Sequence, residues 1–187
     1  HHTIPIRFCT TLSLVINKYS VYYLLTQQPF FWQHYLLLQI GVVLAKILVM
    51  KNLAPSIYEF IVDAPLVAHK CQPGQFVMVR TDEYSERIPL TIADFNREEG
   101  TVTLIVQAVG NTTKHLCETF KEGDDILDIA GPLGQPSHMK NFGTVVVVGG
   151  GIGVAPVYPI ARAYHELGNK VISIIGARNK DLIIWQD

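Results

Sequence analysis

Three short segments carry residue types suited to handling phosphate groups. Arg87-Ile88-Pro89-Leu90-Thr91 sets an arginine four residues ahead of a hydroxyl. A guanidinium is a planar fork that takes two phosphate oxygens in parallel charge-assisted bonds, and Pro89 stiffens the backbone between the two groups. Taken alone, these five residues fit a plainer description slightly better: a surface arginine followed by an ordinary strand start. Gly110-Asn111-Thr112-Thr113 stands between an apolar run and a helical run, Lys114 to Phe120. Free amides at a helix start attract anions, and Thr112 or Thr113 can cap the helix while offering a hydroxyl. Plain capping accounts for the same residues equally well. Asn111-Thr112-Thr113 is also a glycosylation sequon, discounted because nothing in the sequence supports secretion.

The third segment, Thr144 to Pro156, is the strongest. Its four consecutive valines, Val145 to Val148, read as a strand buried on both faces of a parallel sheet. Gly149-Gly150-Gly151-Ile152-Gly153 then turns the chain into a helix expected from Pro156 to Leu167, ended by Gly168. Val171 to Ile175 reads as the next strand, which completes a βαβ unit. Such a unit places a dinucleotide pyrophosphate on glycine amides and on the positive end of the helix. Tight strand-to-helix packing without a ligand is the alternative. The spacing is Gly151-x-Gly153-x-x-Pro156 rather than G-x-G-x-x-G, with Pro156 in the first turn, where a missing N–H costs little. The acid that usually grips an adenosine ribose is absent, and Gly176-Ala177-Arg178-Asn179-Lys180 stands in its place. Arg178 and Lys180 suit a ribose 2′-phosphate and suit a solvated loop equally, so NAD and NADP are not separated.

The elements that must position these groups are short strands. Ile47 to Met50 and Ile57 to Val62 read as a strand pair around a turn at Asn52 to Ser56. Gln75 to Arg80, Thr101 to Gln107 and Ile126 to Ala130 follow, opened by Pro73-Gly74, Gly100 and Gly123-Asp124-Asp125. This spacing predicts an antiparallel β-barrel over residues 45–140, followed by the start of a Rossmann-like α/β unit over 141–187.

Composition sets limits on the rest. With 49% hydrophobic and 17% charged residues among 187, disorder of the whole chain is excluded. The first 58 residues hold four bases and no acid, and the remainder holds 11 bases against 16 acids. The net charge of −1 gives no electrostatic case for nucleic acid. Residues 1–44 read as a non-native or disordered extension, with a membrane-associating or a packed native segment as the alternatives. Tyr35 to Met50 contains Gln39 and Lys46 and is too short to cross a bilayer. Cys9, Cys71 and Cys117 lie far apart, so neither a disulfide framework nor a zinc site is expected. Asp128, Glu118, His115 and His138 stay without a role.

On these residues the chain resembles the ferredoxin-NADP reductase superfamily, in which an FAD-binding barrel precedes a nicotinamide-nucleotide domain. Gln72-Pro73-Gly74-Gln75-Phe76, Arg87 to Thr91, Gly131-Pro132-Leu133-Gly134 and the Gly149 to Pro156 loop carry the likeness over Ala45 to Asp187. They are similar to the small flavin subunit of NADH-dependent ferredoxin-NADP reductase, also called the sulfide dehydrogenase beta subunit, and to the electron-transfer subunit of dihydroorotate dehydrogenase. The resemblance implies that Arg87 binds the FAD pyrophosphate, with Pro89 and Leu90 as further cofactor contacts. Thr91 would lie near the flavin N5, as the catalytic candidate. Gly110, Thr112 and Thr113 would hold flavin phosphates, and Gly131 and Gly134 would line the flavin and nicotinamide side. Gly150, Gly151, Gly153 and Pro156 would face the NAD(P) pyrophosphate, with Arg178 beside them. Leu90 stands where plant-type members carry an aromatic residue.

The implied activity is hydride transfer between NAD(P)H and FAD, with electrons leaving through a [2Fe–2S] centre toward ferredoxin or a larger partner subunit. Family members continue to a cysteine cluster that holds the iron–sulfur centre, so the chain is expected to be a fragment without metal ligands of its own. The flavin carries the chemistry while the protein supplies position and electrostatics. A free-standing NAD(P)H-flavin reductase and a flavin-binding module without turnover are the rival readings. A cytoplasmic protein without membrane attachment is expected.

Overall fold

The computed structural model describes residues 14–17, 20–23 and 44–186. β1 (Leu14–Asn17) and β2 (Ser20–Tyr23) form an antiparallel hairpin of their own. The expectation for residues 1–44 otherwise lies outside the described residues.

From Ala45 the chain lays down β3 (Ala45–Ala54), β4 (Ile57–Asp63), β5 (Phe76–Arg80), β6 (Ile88–Asn96), β7 (Thr101–Gln107), β8 (Asp125–Ile126) and β9 (Asp128–Leu133). They make one antiparallel sheet in the order β8-β3-β4-β7-β6-β5-β9. Its two outer strands are successive pieces of one segment, separated only by Leu127, whose amide donates to the Thr81 carbonyl at 3.2 Å. The sheet thereby curls into a nearly closed barrel, and the single strand expected over Ile126 to Ala130 is divided between both of its edges. Alternation explains the core: Phe60 and Val62, Val77 and Val79, Leu90 and Ile92, Val102 and Leu104 point inward. Each such side chain contributes roughly 1.5–3 kcal/mol by leaving water.

The first turn is tighter than expected. β3 continues to Ala54 because Lys51 and Asn52 find cross-strand partners in Glu59 and Tyr58, with a bulge before Ala54. Only Pro55 and Ser56 remain to turn the chain, and Ser56 takes φ +60°. A short helix, α1 (Pro65–Ala68), follows β4 with proline in its first turn. After β7, α2 (Asn111–Thr119) begins three residues before the helix expected from Lys114.

The second part holds β10 (Thr144–Gly150), a 3₁₀ turn (Gly151–Gly153), α3 (Val154–Glu166), β11 (Lys170–Gly176) and a second 3₁₀ turn (Lys180–Leu182), with β10 and β11 paired in parallel. α3 starts before Pro156, which is its third residue and still within the first turn. The valine run is not buried on both faces: Val147 is inside, while Val146 and Val148 are 54% and 66% exposed. Among the described residues the sheet has two strands, and α3 packs against both of them. α3 also binds this part to the barrel, through an apolar cluster of Val154, Ala155 and Ile184 with Ala54, Ile57, Ala93 and Ile105. Among the described residues, no helix is long and apolar enough to cross a membrane.

Candidate functional site

β5 is the centre of the barrel face that carries the arginine motif. Its register sets Phe76 opposite Thr91, Val77 opposite Leu90, Met78 opposite Pro89 and Val79 opposite Ile88 on β6. On its other side Phe76 faces Leu133, Met78 faces Ala130 and Arg80 faces Asp128 on β9. Val77 and Val79 are fully buried, so Phe76, Met78 and Arg80 turn outward, and with them Pro89, Thr91, Ala130 and Asp128. Leu90 turns the other way: it is 9% exposed and belongs to the core, so its side chain packs rather than faces a ligand.

Arg87 stands at the entrance to β6, with its side chain half exposed, and forms an ion pair with Asp128, whose side chain is 13% exposed. The guanidinium is thus anchored on one side and open to solvent on the other. Sequence reasoning left Asp128 without a role, because its partner lies 41 positions away and meets it only through the shared strand β5.

Two further motifs meet beside this face. The Gln75 side-chain amide donates to the Gly134 carbonyl at 2.9 Å. A Cβ on Gly134 would come within 3.0 Å of the Phe76 ring, and one on Gly131 within 2.8 Å of Val77 Cγ1. Gly134 also has φ +82°. These glycines let the Gly131 to Gly134 segment lie flat on β5, a close-approach role that operates whether or not a ligand is bound.

At the start of α2, the Thr113 hydroxyl accepts the amides of Gly110 at 3.0 Å and Val109 at 3.2 Å, and donates to the Gly110 carbonyl at 3.1 Å. Capping therefore falls to Thr113, reaching back from inside the first turn, and this is why the helix starts early. Lower on α2, His115 Nε2 meets Asp82 Oδ2 at 3.0 Å and ties the helix to the loop that leads into Arg87. The Tyr84 amide, then the His115 contact, hold the Asp82 carboxyl below its ordinary value.

The glycine loop separates its members by role. A Cβ on Gly149 would come within 2.9 Å of the Val154 Cα, so this glycine serves strand-to-helix packing. Gly150, Gly151 and Gly153 have open space where a Cβ would be, and Gly151 takes φ +54°. Gly150, Gly151 and Arg178 line one pocket of about 550 Å³, floored by Ile57 and Gln107 of the barrel. Gly153 and Pro156 do not line it. A larger cavity of about 1040 Å³ lies under the β6–β7 turn against α3 and holds none of the predicted phosphate-binding residues. Within it Arg162 pairs with Asp94 and with Glu166.

The donor set fits two dinucleotides. An arginine fork with an open side, a helix start and a close-fitting glycine segment suit a flavin diphosphate. The open glycines at the head of α3 suit a nicotinamide nucleotide. An iron–sulfur centre is different. Among the described residues no group of three or more His, Cys, Asp or Glu side chains converges, and Cys71 and Cys117 are separate buried thiols. Burial pushes their ionisation up to about 11 and about 12. These residues do not fit the cluster.

No family model matches the chain. An electron transfer subunit homolog of dihydroorotate dehydrogenase B (NAD(+)) from Thermotoga maritima is 46% identical over 147 residues, covering 79% of this chain and 52% of that protein. The corresponding electron transfer subunit from Shouchella clausii is 39% identical over 141 residues, covering 72% and 54%. A solved structure of NADH-dependent reduced ferredoxin-NADP oxidoreductase superposes with a TM-score of 0.74 at 46% identity, covering 78% of this chain and 52% of its own. Phthalate dioxygenase reductase shares the fold at 19% identity with a TM-score of 0.67. The chain spans about half the length of the curated relatives it matches. Over its barrel and the start of its α/β unit the chain is thus a homologue of these electron transfer subunits and shares the fold of the ferredoxin reductases.

Proposed function

We propose that this chain is the flavin- and nucleotide-binding part of an electron-transfer subunit that moves electrons between NAD(P)H and a partner, with FAD as its resident cofactor. The observation that carries this reading is the union, in one unit, of a half-anchored arginine face and a glycine pocket with open space at Gly150 and Gly151. Bound flavin would supply the exchange between hydride and single-electron chemistry. The chain's own residues bind and orient. Arg87 holds the flavin pyrophosphate, and the Gly110 to Thr113 helix start adds amides and the Thr112 hydroxyl. Thr91, outward-facing beside Phe76, serves the reactive edge of the flavin. Gly131 and Gly134 hold the wall of that site, and Gly150, Gly151 and Gly153 receive the nucleotide pyrophosphate at the head of α3.

The relatives from Thermotoga maritima and Shouchella clausii are electron transfer subunits by name, which supports a larger partner subunit here, and the likeness to a ferredoxin-NADP oxidoreductase supports ferredoxin or an equivalent carrier as the final acceptor. A cytoplasmic setting belongs to the same reading, whereas a [2Fe–2S] centre would need ligands that the described residues do not offer. The test is the absorbance spectrum of the purified full-length protein and of its Arg87→Ala variant. Flavin bands that bleach with NAD(P)H are expected, with FAD affinity about tenfold or more weaker in the variant, since bonds to charged groups contribute about 1.5–3 kcal/mol. A colourless protein that takes up no FAD would sink the proposal.

A further inference from the structure

We infer that Arg80 is a second diphosphate-binding residue, working beside Arg87 on the outer face of the barrel. The inference rests on the flavin reading above and adds to it a residue that no sequence motif marks. Arg80 ends β5, on the outward face shared with Phe76 and Met78. It is the register partner of Asp128 on β9, while on β6 the last pair, Val79 with Ile88, brings Arg87 to the adjoining position. Asp128, Arg80 and Arg87 thus stand in one row across three neighbouring strands.

The row is electrostatically unbalanced. It holds two guanidinium groups and one carboxylate, and that carboxylate is paired with Arg87. Among the described residues Arg80 makes no ion pair. Its Nε is closed off from water and has no hydrogen-bond partner, the one such buried side-chain atom among the described residues. A buried N–H left unbonded is costly, and native folds rarely keep one unless a bound group completes it. The group this row lacks is an anion, and two guanidinium forks on adjoining strands match the two phosphoryl groups of a diphosphate. The glycine pocket that suits the nicotinamide nucleotide does not include Arg80, so the occupant is the FAD diphosphate.

The experiment titrates the flavin-free full chain with FAD, riboflavin and NADH, for the parent, Arg80→Met, Arg80→Lys and Arg87→Met proteins, following flavin fluorescence and thermal melting. Arg80→Met is expected to weaken FAD by about tenfold or more and to leave riboflavin within about twofold. Arg80→Lys keeps the charge but loses the fork, so it should lie between. If Arg80→Met fails to fold, the lysine variant decides, and an FAD affinity equal to the parent's overturns the assignment. FAD affinity unchanged in Arg80→Met while Arg87→Met weakens it also overturns the assignment and leaves the flavin reading standing. Unchanged FAD affinity in both variants removes the flavin reading itself. Equal losses for FAD and riboflavin, or a loss confined to NADH, overturn the role given to Arg80.

Discussion

Arg87 reaches across β5 to pair with Asp128 on β9, so the arginine expected to grip phosphate already has a carboxylate partner. A pair this exposed on the arginine side contributes only about 0.2–1 kcal/mol, because solvent screens it. An incoming phosphate must therefore compete with a modest interaction. Asp128→Asn keeps the shape and removes the competing charge. FAD should bind up to about fivefold more tightly to this variant, with a steeper loss of affinity as salt rises. Titration at two ionic strengths checks this, and weaker binding would mean that Asp128 chiefly holds Arg87 in place.

Neighbouring glycines in the loop should behave in opposite ways. Gly149→Ala drives a methyl group to within 2.9 Å of the Val154 backbone and should cost about 1–3 kcal/mol, seen as a lower melting temperature. Gly150→Ala meets open space, and its backbone is extended at φ −114° and ψ 122°. It should leave melting nearly unchanged while raising the KM for NAD(P)H, because the added methyl occupies pocket volume. Equal melting losses in the two variants would refute the division of roles.

The sequence made the strands and the glycine turn legible because their signals are local: alternating apolar residues, valine runs, and glycine or proline at turns. The three phosphate-directed segments could be found for the same reason. What could not be read depends on register. Arg80 and Asp128 are ordinary charged residues until β5 and β9 are aligned, and Leu90 is told from Pro89 only by which face of β6 it occupies. The capping role of Thr113 and the division between Gly149 and Gly150 follow from distances that no spacing encodes.

Alkaline solution should loosen the barrel before its acids and bases account for it. Burial raises the Cys71 thiol to about 11 and the Cys117 thiol to about 12, against an ordinary value of 9.0. A raised folded-state value means the native form holds its proton longer than the unfolded chain. Stability from these thiols is therefore complete below pH 9 and is lost as pH climbs from there toward 11 and 12. Denaturant midpoints measured from pH 8 to 11 should fall, and Cys117→Ala should flatten part of that decline. Neither thiol should react with iodoacetamide in the native state at pH 8, since a buried neutral thiol is a poor nucleophile.

Arg162 joins the glycine-loop helix to the strand that carries the arginine motif. Its guanidinium pairs with Asp94 on β6, extends to Glu166 at 3.7 Å, and lies over the Phe95 ring at 5.1 Å. β6 begins beside Arg87 and α3 begins at Val154, just past the open glycines, so this contact helps fix the spacing between the two proposed nucleotide sites. The pair is about two-thirds shielded from water, and a coupling near 1 kcal/mol is expected between Arg162→Met and Asp94→Asn in a double-mutant cycle on stability. In the full-length protein, Arg162→Met should lower the rate of flavin reduction by NAD(P)H more than it weakens binding of either nucleotide, because misplacement by a fraction of an ångström disturbs transfer before it disturbs affinity. Stopped-flow reduction followed beside equilibrium titration separates the two. A variant that reduces at the parental rate would show that the apolar cluster of Val154, Ala155 and Ala93 sets the spacing without help from the ion pair.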